Sequence, residues 1–570
     1  MAQFLKMQER NDLADLLNIP RKKLTHLLYV RKVENCYHTF FIPKRSGGER
    51  EIAAPDVELK SIQKNLANKL QQYRDSCRKE RDASPNIAHA FERKKGIITN
   101  ARIHRNKRFV LNIDLEDFFG SIHFGRVKGY FEKNNYFRVS REVATVISQL
   151  CCYEGKLPQG APTSPVISNM VCEILDYKLL QIAKKYKLDY TRYADDLTFS
   201  TNDKNFLSRY EQFYASMAGA IQHAGFRINA KKTRLSYRDS RQTVTGLVVN
   251  RRINVEHEYY KKTRAMAHHL YTTGEFQING APGSIEQLEG RFAFINQLDK
   301  YDNDNFHAPK RTFFTLNSRE REYQKFLYYK NFFAHEKPLV VTEGKTDILY
   351  IKAALKSMYK GYPDLIEVKP DGSFNFKIRF LRKSKKLKYF FNLSVDGADT
   401  MKNIYGCYVE KKGKGTSSGL FPYFSQISTL EVQQPVVLVF DNEQGDKSKP
   451  LYKFLNFIGN DNPGVGERLK TSFCERLLPE SNLFLVTHQL VGGKNICEIE
   501  DLLPQQVRDT VIDGKKLSLQ DNYDTKTEYG KDAFSKYVLE HYDSIDFSGF
   551  VTLLDGINST VVKEREQVMC

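Results

Sequence analysis

The chain has 570 residues and a formal net charge of +20, which exceeds one ordinary core, suggests about three or four domain-sized units, and points to a polyanionic partner. Nine cysteines in so long a chain, without a CxxC pair, exclude a disulfide scaffold and a zinc-ribbon pattern. No segment approaches the roughly 20 apolar residues of a membrane span, so the expectation is a soluble cytoplasmic protein without a membrane partner, whose Lys, Arg, Tyr and Phe suit backbone neutralisation and base stacking.

The opening MAQFLKMQERNDLADLL carries charges too early for a signal peptide. Residues 4–30 read as short helices, with Leu5, Leu13, Leu16 and Leu17 on an apolar face and Pro20 ending the run. YHTFFIPKRSGGEREIAAP reads as a hairpin turned at Ser46-Gly47-Gly48. Its cations Lys44, Arg45 and Arg50 either grip a triphosphate or form a solvated charged hairpin. A basic helix follows from Val57 to about Arg81, with Leu59, Ile62, Leu66 and Leu70 at near-helical spacing. In AHAFERKKGIITNARIH, the cluster Arg93, Lys94 and Lys95 with His104 suits contact with RNA phosphates and 2'-hydroxyls; His104 reads equally as a satisfied structural histidine.

RFVLNIDLEDFFGSI is an apolar strand ending at Asp114, followed by Phe118 and Phe119. KLPQGAPTSPVISNM places Pro158, Gly160 and Pro162 in a loop fit for close backbone approach, with Thr163 or Ser164 as cap and Pro165 near the first turn of a helix running to about Lys185. Its stripe of Ile167, Met170, Val171, Ile174 and Leu175 reads as core. LDYTRYADDLTFST reads as two short strands around a tight turn, which puts Asp195 and Asp196 at a hairpin tip where Asp114 joins them if the strands share a sheet. Three clustered carboxylates repel one another. Magnesium, a hard ion that prefers oxygen and binds substrate phosphates, resolves this, and two such ions serve phosphoryl transfer. A helix from about Phe206 to Ala224 then leads to FRINAKKTRLSY, which carries Lys232.

The YADD hairpin, the Asp114 strand and KLPQGAPTSPVISN resemble the palm motifs of reverse transcriptases. NARIH at Asn100 to His104 and the triplet Val244-Thr245-Gly246 are similar to signatures of the retron branch. The resemblance spans about residues 10–325. It implies an α+β right-hand RNA-directed DNA polymerase with fingers (1–105), palm (106–250) and helical thumb (251–325). It further implies Asp114, Asp195 and Asp196 as catalytic ligands of a two-metal magnesium site, Lys44, Arg45 and above all Arg50 on the triphosphate, and Gln159 against the incoming nucleotide. Phe119 becomes the ring that excludes a ribonucleotide, with Phe118 in the core. Lys232 either neutralises or protonates departing pyrophosphate or is a surface lysine. The region of Asn100 and His104 is assigned to a cognate non-coding RNA, copied from one of its 2'-hydroxyls into branched single-stranded DNA. That RNA, its DNA product and dNTPs are the expected partners, and a homo-oligomer is left open.

The second half changes pattern after a linker helix (326–337). LVVTEGKTDILYIKAAL reads as strand, turn and helix with Glu343, Gly344 and Asp347, and PVVLVFDNEQGD repeats the arrangement with Asp441 and Glu443. Acids just beyond buried parallel strands lie where open α/β sheets bind ligands. This half resembles the Toprim domain of primases, topoisomerases and OLD-family nucleases, with Asp-x-Glu in place of the usual Asp-x-Asp. The resemblance implies an α/β domain (338–515) with a mainly parallel sheet, a second magnesium site at Glu343, Asp347, Asp441 and Glu443, and a nuclease effector acting on nucleic acid in antiphage defence. SVDGADTMKNIY is expected to add a strand and turn, with Gly397 matching a glycine of that fold, and KKGKGTSS (411–418) a phosphate-facing loop. Lys494, Glu498, Glu500 and Asp501 either complete the site or sit on an acidic helix, the reading preferred here. Residues 516–570 yield no motif. Two other readings stay open: a silent polymerase half serving as nucleic-acid scaffold for the nuclease, and a mobile-element reverse transcriptase.

Overall fold

A computed structural model describes residues 4–5, 7–44, 47–80, 87–393, 399–410, 419–430, 432, 434–518 and 523–569. The chain divides into two compact units, residues 1–257 and 258–570.

In the first unit, strands β1 (Tyr37–Pro43) and β2 (Glu49–Pro55) form the expected antiparallel hairpin. The helix Val57–Glu80 buries Leu59, Ile62, Leu66 and Leu70. Near the start, Leu13, Leu16 and Leu17 are buried but Leu5 is 45% exposed, and Pro20 opens the helix Arg21–Thr25 instead of merely ending a run. The central sheet contains β3 (Phe109–Glu116), β4 (Asp189–Tyr193), β5 (Asp196–Thr201), β6 (Arg227–Ile228) and β7 (Arg234–Tyr237), in the order β4-β5-β3-β6, with β7 also pairing β3. All these pairings are antiparallel. The helix Ser164–Lys185 supports the sheet through Ile167, Met170, Val171 and Leu175. Ile174 lies outside that stripe at 64% exposure, because helical spacing turns it toward solvent.

Gly160 has φ 137°, and a Cβ there would lie 2.5 Å from the Ala53 carbonyl oxygen. The glycine permits that approach, and the Ala53 amide donates to the Gln159 carbonyl at 2.9 Å. The loop thereby locks onto β2. Val244-Thr245-Gly246 forms a turn between two-residue strands, with Thr245 and Gly246 both at positive φ.

The second unit is built on β8 (Leu339–Thr342), β9 (Arg379–Phe380), β10 (Val436–Val439), β11 (Cys474–Arg476) and β12 (Leu483–Val486), ordered β9-β8-β10-β12-β11. All neighbours run parallel except the edge pair β11 and β12. β8, β10 and β12 are four-residue runs buried throughout, as expected of strands covered on both faces. Alternate residues feed two cores: Val341, Leu438 and Leu485 face one, Val340, Val437 and Phe484 the other.

The first of these cores also takes in Leu270, Tyr271, Leu288 and Phe292 of the helices His257–Thr273 and Ile285–Phe306. The segment expected as a linker helix is core. Tyr323, Phe326, Tyr328, Tyr329, Phe332 and Phe333 are all at most 2% exposed, because six large rings within one helix and its extension cannot be left in water. The other core is closed by the helices Lys531–Glu540 and Val551–Met569, so the C-terminal segment completes the unit. Asp399–Tyr408, the later part of SVDGADTMKNIY, is a helix; residues 394–398, which include Gly397, and residues 411–418 fall outside the described residues.

Candidate active site

The turn at the YADD tip is held by pairing of Tyr193 with Asp196, leaving Ala194 and Asp195 as its two central residues. Ala194 is buried and sits at φ 56°, a left-handed conformation that costs an L-residue of order 1–2 kcal/mol. On the neighbouring strand, Asp114 pairs in register with Asp196, and the Leu115 amide donates to the Asp195 carbonyl at 3.0 Å. Acids about 80 residues apart in sequence are thus brought to one sheet end by strand register.

Asp114 and Asp195 line a cleft of about 700 Å³ together with Lys44, Arg50, Phe119, Gln159 and Lys232. The Lys232 ammonium lies 2.9 Å from Asp114 Oδ1, and Asn229 Nδ2 donates to Asp114 Oδ2 at 3.1 Å. Desolvation, then the charge of Asp114, raises the Asp195 pKa. Desolvation followed by the charges of Asp195 and Asp114 raises that of Asp196, and the mutual repulsion is the part that a cation would relieve. Three neighbouring carboxylates, with Lys232 bound to Asp114 and Arg50 acting on Asp195, are a hard-oxygen set, the chemistry that suits magnesium. Among the described residues, however, no group of three or more His, Cys, Asp and Glu side chains is gathered as a ready metal cage. Both Asp114 oxygens are already engaged, so ion binding would exchange those contacts.

Phe118 is 4% exposed and belongs to the core, whereas Phe119 is partly buried at the cleft. Arg45 falls outside the described residues. Asn100 and His104 require correction as substrate-binding residues, since both are fully buried. His104 bonds Ser200 and Thr191 at 2.8 and 2.7 Å, and Thr191 donates to Asn100 Oδ1 at 2.5 Å. Burial pushes the His104 pKa down to about 3, so the ring stays neutral. These residues tie the helix Ile97–Ile103 to β4 and β5. Their type and spacing were visible in the sequence, but their burial was not.

A model of the family described as reverse transcriptase (RNA-dependent DNA polymerase) matches residues 42–265. The retron Ec86 reverse transcriptase of Escherichia coli is 32% identical over 326 residues, covering 56% of this chain and 92% of that protein. The chain belongs to the retron reverse transcriptases. The retron Mx162 reverse transcriptase of Myxococcus xanthus is 34% identical over 321 residues, 50% of this chain and 63% of its own. A solved telomerase from Candida albicans, in complex with a TWJ fragment of telomeric RNA, aligns at TM-score 0.32 and 13% identity, covering 54% of this retron reverse transcriptase and 62% of that chain.

The second unit of this retron reverse transcriptase holds a separate acidic cluster just beyond β8 and β10. Glu343 Oε1 accepts from the Asp441 amide at 3.2 Å. Asp347 accepts from the Gly344 amide at 2.8 Å, and Asp441 Oδ1 from the Ile499 amide at 2.9 Å. Desolvation, then Asp441 and Glu443, pushes Glu343 up to about 9; desolvation and Asp441 raise Asp347. Glu443 is raised by burial but paired with Lys449 at 2.7 Å.

Glu500, read as part of an acidic helix, is 1% exposed in a short 3-10 turn. Burial lifts it to about 7 against the pull of Lys531. Lys531 lies 2.8 Å from Glu498 and 3.4 Å from Glu500, and Lys494 and Asp501 pair with each other. No local signal marks Lys531, because a helix about 30 residues downstream delivers it. The acids again supply hard oxygens with too few cations, without forming a ready cage among the described residues.

Proposed function

We propose that the first unit copies a cognate non-coding RNA into single-stranded DNA joined to a 2'-hydroxyl of that RNA. The observation that carries this reading is the register of Asp114 against Asp196 at the tip that also bears Asp195. A primer hydroxyl attacks the α-phosphorus of a dNTP, forming the new phosphodiester bond and expelling pyrophosphate. Magnesium held by Asp114, Asp195 and Asp196 would activate the attacking hydroxyl and stabilise the leaving oxygen. Arg50 and Lys44 at the cleft supply charge for the triphosphate, and Lys232 supplies charge or a proton for pyrophosphate. Gln159 lies against the nucleotide. Sequencing the nucleic acid that copurifies with the full chain tests this reading: RNA-linked short DNA is expected, and random cellular RNA alone would overturn it.

Phe119 serves as the wall against a ribose 2'-hydroxyl. Phe119→Ala is expected to raise ribonucleotide incorporation by at least about tenfold, the scale of a 1–2 kcal/mol steric term. Primer extension with mixed dNTP and rNTP checks this, and unchanged sugar choice removes the role from Phe119.

For the second unit we infer a Toprim-like, metal-dependent nuclease effector with a defence role, in which Glu343, Asp347, Asp441 and Glu443 would hold the magnesium that meets the nucleic-acid phosphate. The amide contact of Asp441 with Glu343 at 3.2 Å carries this reading, because it brings the acids of two strand ends together. With magnesium, the full chain is expected to cut DNA or RNA, and Asp441→Asn to lower cutting by at least about 10²-fold, as for loss of one stabiliser of developing charge. Equal cutting by parent and variant would reject the site.

A further inference from the structure

The helix Asp347–Ser357 begins at the acidic cluster, with Asp347 in its first turn. Its inner face buries Tyr350, Ile351, Ala354 and Leu355. Lys352 and Lys356 lie one turn apart on its outer flank, and Lys360 follows in the 3-10 turn Tyr359–Gly361. Each ammonium rides over rings: Lys352 is 5.5 Å from the Phe376 centroid and 5.4 Å from that of Phe380, Lys356 is 4.8 Å from Tyr542 and 5.5 Å from Phe374, and Lys360 is 5.9 Å from Tyr359. These rings hold the ammonium groups against an aromatic surface, with Lys352 and Lys356 half-buried and Lys360 exposed.

Several lysines elsewhere in the unit are neutralised by carboxylates. Lys330 and Lys386 share Glu289, Lys449 meets Glu443, and Lys470 meets Glu467. None of Lys352, Lys356 and Lys360 has a carboxylate partner among the described residues, and burial, then the like charges of Arg382 and Lys356, lowers the Lys352 pKa. Arg382 is exposed, and its neighbour Lys383 donates to the Glu343 carbonyl at 2.7 Å. Positive charge therefore continues from this flank to the acidic cluster. A merely solvated face would gain by interspersing carboxylates; an unneutralised, ring-supported row of cations suits a phosphodiester chain.

We propose that Lys352, Lys356, Lys360 and Arg382 form a track for the backbone of a nucleic-acid strand, leading it to the carboxylates around Glu343 and Asp441. Where the strand leads rests on the nuclease reading; the track binds the backbone whether or not the strand is cut.

The test uses the full chain and a short single-stranded oligodeoxynucleotide. Lysine acetylation read by mass spectrometry is expected to show Lys352, Lys356 and Lys360 protected several-fold by the DNA. The variant K352Q/K356Q/K360Q is expected to weaken binding and to flatten log K against log salt by about 2, since each single-strand phosphate contact contributes about 0.7. Its DNA synthesis on primed RNA should equal that of the parent. Unprotected lysines with an unchanged slope overturn the track, even where magnesium-dependent cutting persists. Protection with a flattened slope in a protein that never cuts upholds the track and rejects the nuclease reading.

Discussion

Asp195→Asn with Asp196→Asn is expected to lower DNA synthesis on a primed RNA template by about 10²–10³-fold or more, the scale of losing a charge-stabilising group at a reacting centre. Asn preserves shape and hydrogen bonding at the tip while removing both charges. The fold should not suffer. The carboxylates are pushed upward in pKa by desolvation and by one another, so neutralising them relieves repulsion, and the melting temperature should hold or rise. Function and stability oppose each other at such sites. Lost synthesis with an equal or higher melting temperature therefore marks catalytic carboxylates. A lower melting temperature with proportional loss would make them structural, and a parent that makes no DNA would favour the scaffold reading.

The YADD hairpin was legible because its information is local: alternating apolar residues on both sides and a two-residue turn. Two of the buried parallel strands were legible for a similar reason, since LVVT and VVLV are short apolar runs with acids just beyond them. What escaped was set by distant packing. Asn100 and His104 occupy a recognisable motif, yet strands 90 residues later decide that both are enclosed. Glu500 stands in a row of acids in which burial singles out one member. The aromatic segment before β8 read as a connection because its cover, the sheet face beyond it, lies elsewhere in the chain. Arg192 stands between Thr191 and Tyr193 with no local sign of its burial, yet a charge enclosed in a strand demands a partner.

That partner is Asp176. Arg192 is fully buried, with Nε 2.8 Å from Asp176 Oδ1 and Nη2 2.7 Å from Oδ2. Its Nη1 donates to Asn169 Oδ1 at 3.1 Å and to the Ala194 carbonyl at 3.3 Å, so the same guanidinium braces the left-handed turn that carries Asp195. Tyr190 adds a hydrogen bond to Asp176, and Asn169 reaches the buried pair of Arg74 and Glu92. Arg192→Met leaves Asp176 buried without its cation and is expected to cost about 3–5 kcal/mol in denaturant unfolding of the first unit. Arg192→Met combined with Asp176→Leu should recover most of that stability, because an apolar pair of similar volume can replace a buried ion pair at little cost. Synthesis should not recover with it, since the Ala194 carbonyl still lacks its donor and the tip loses its brace. If the double variant regains both stability and synthesis, Arg192 supports only the core; if it regains stability alone, the guanidinium positions the catalytic turn.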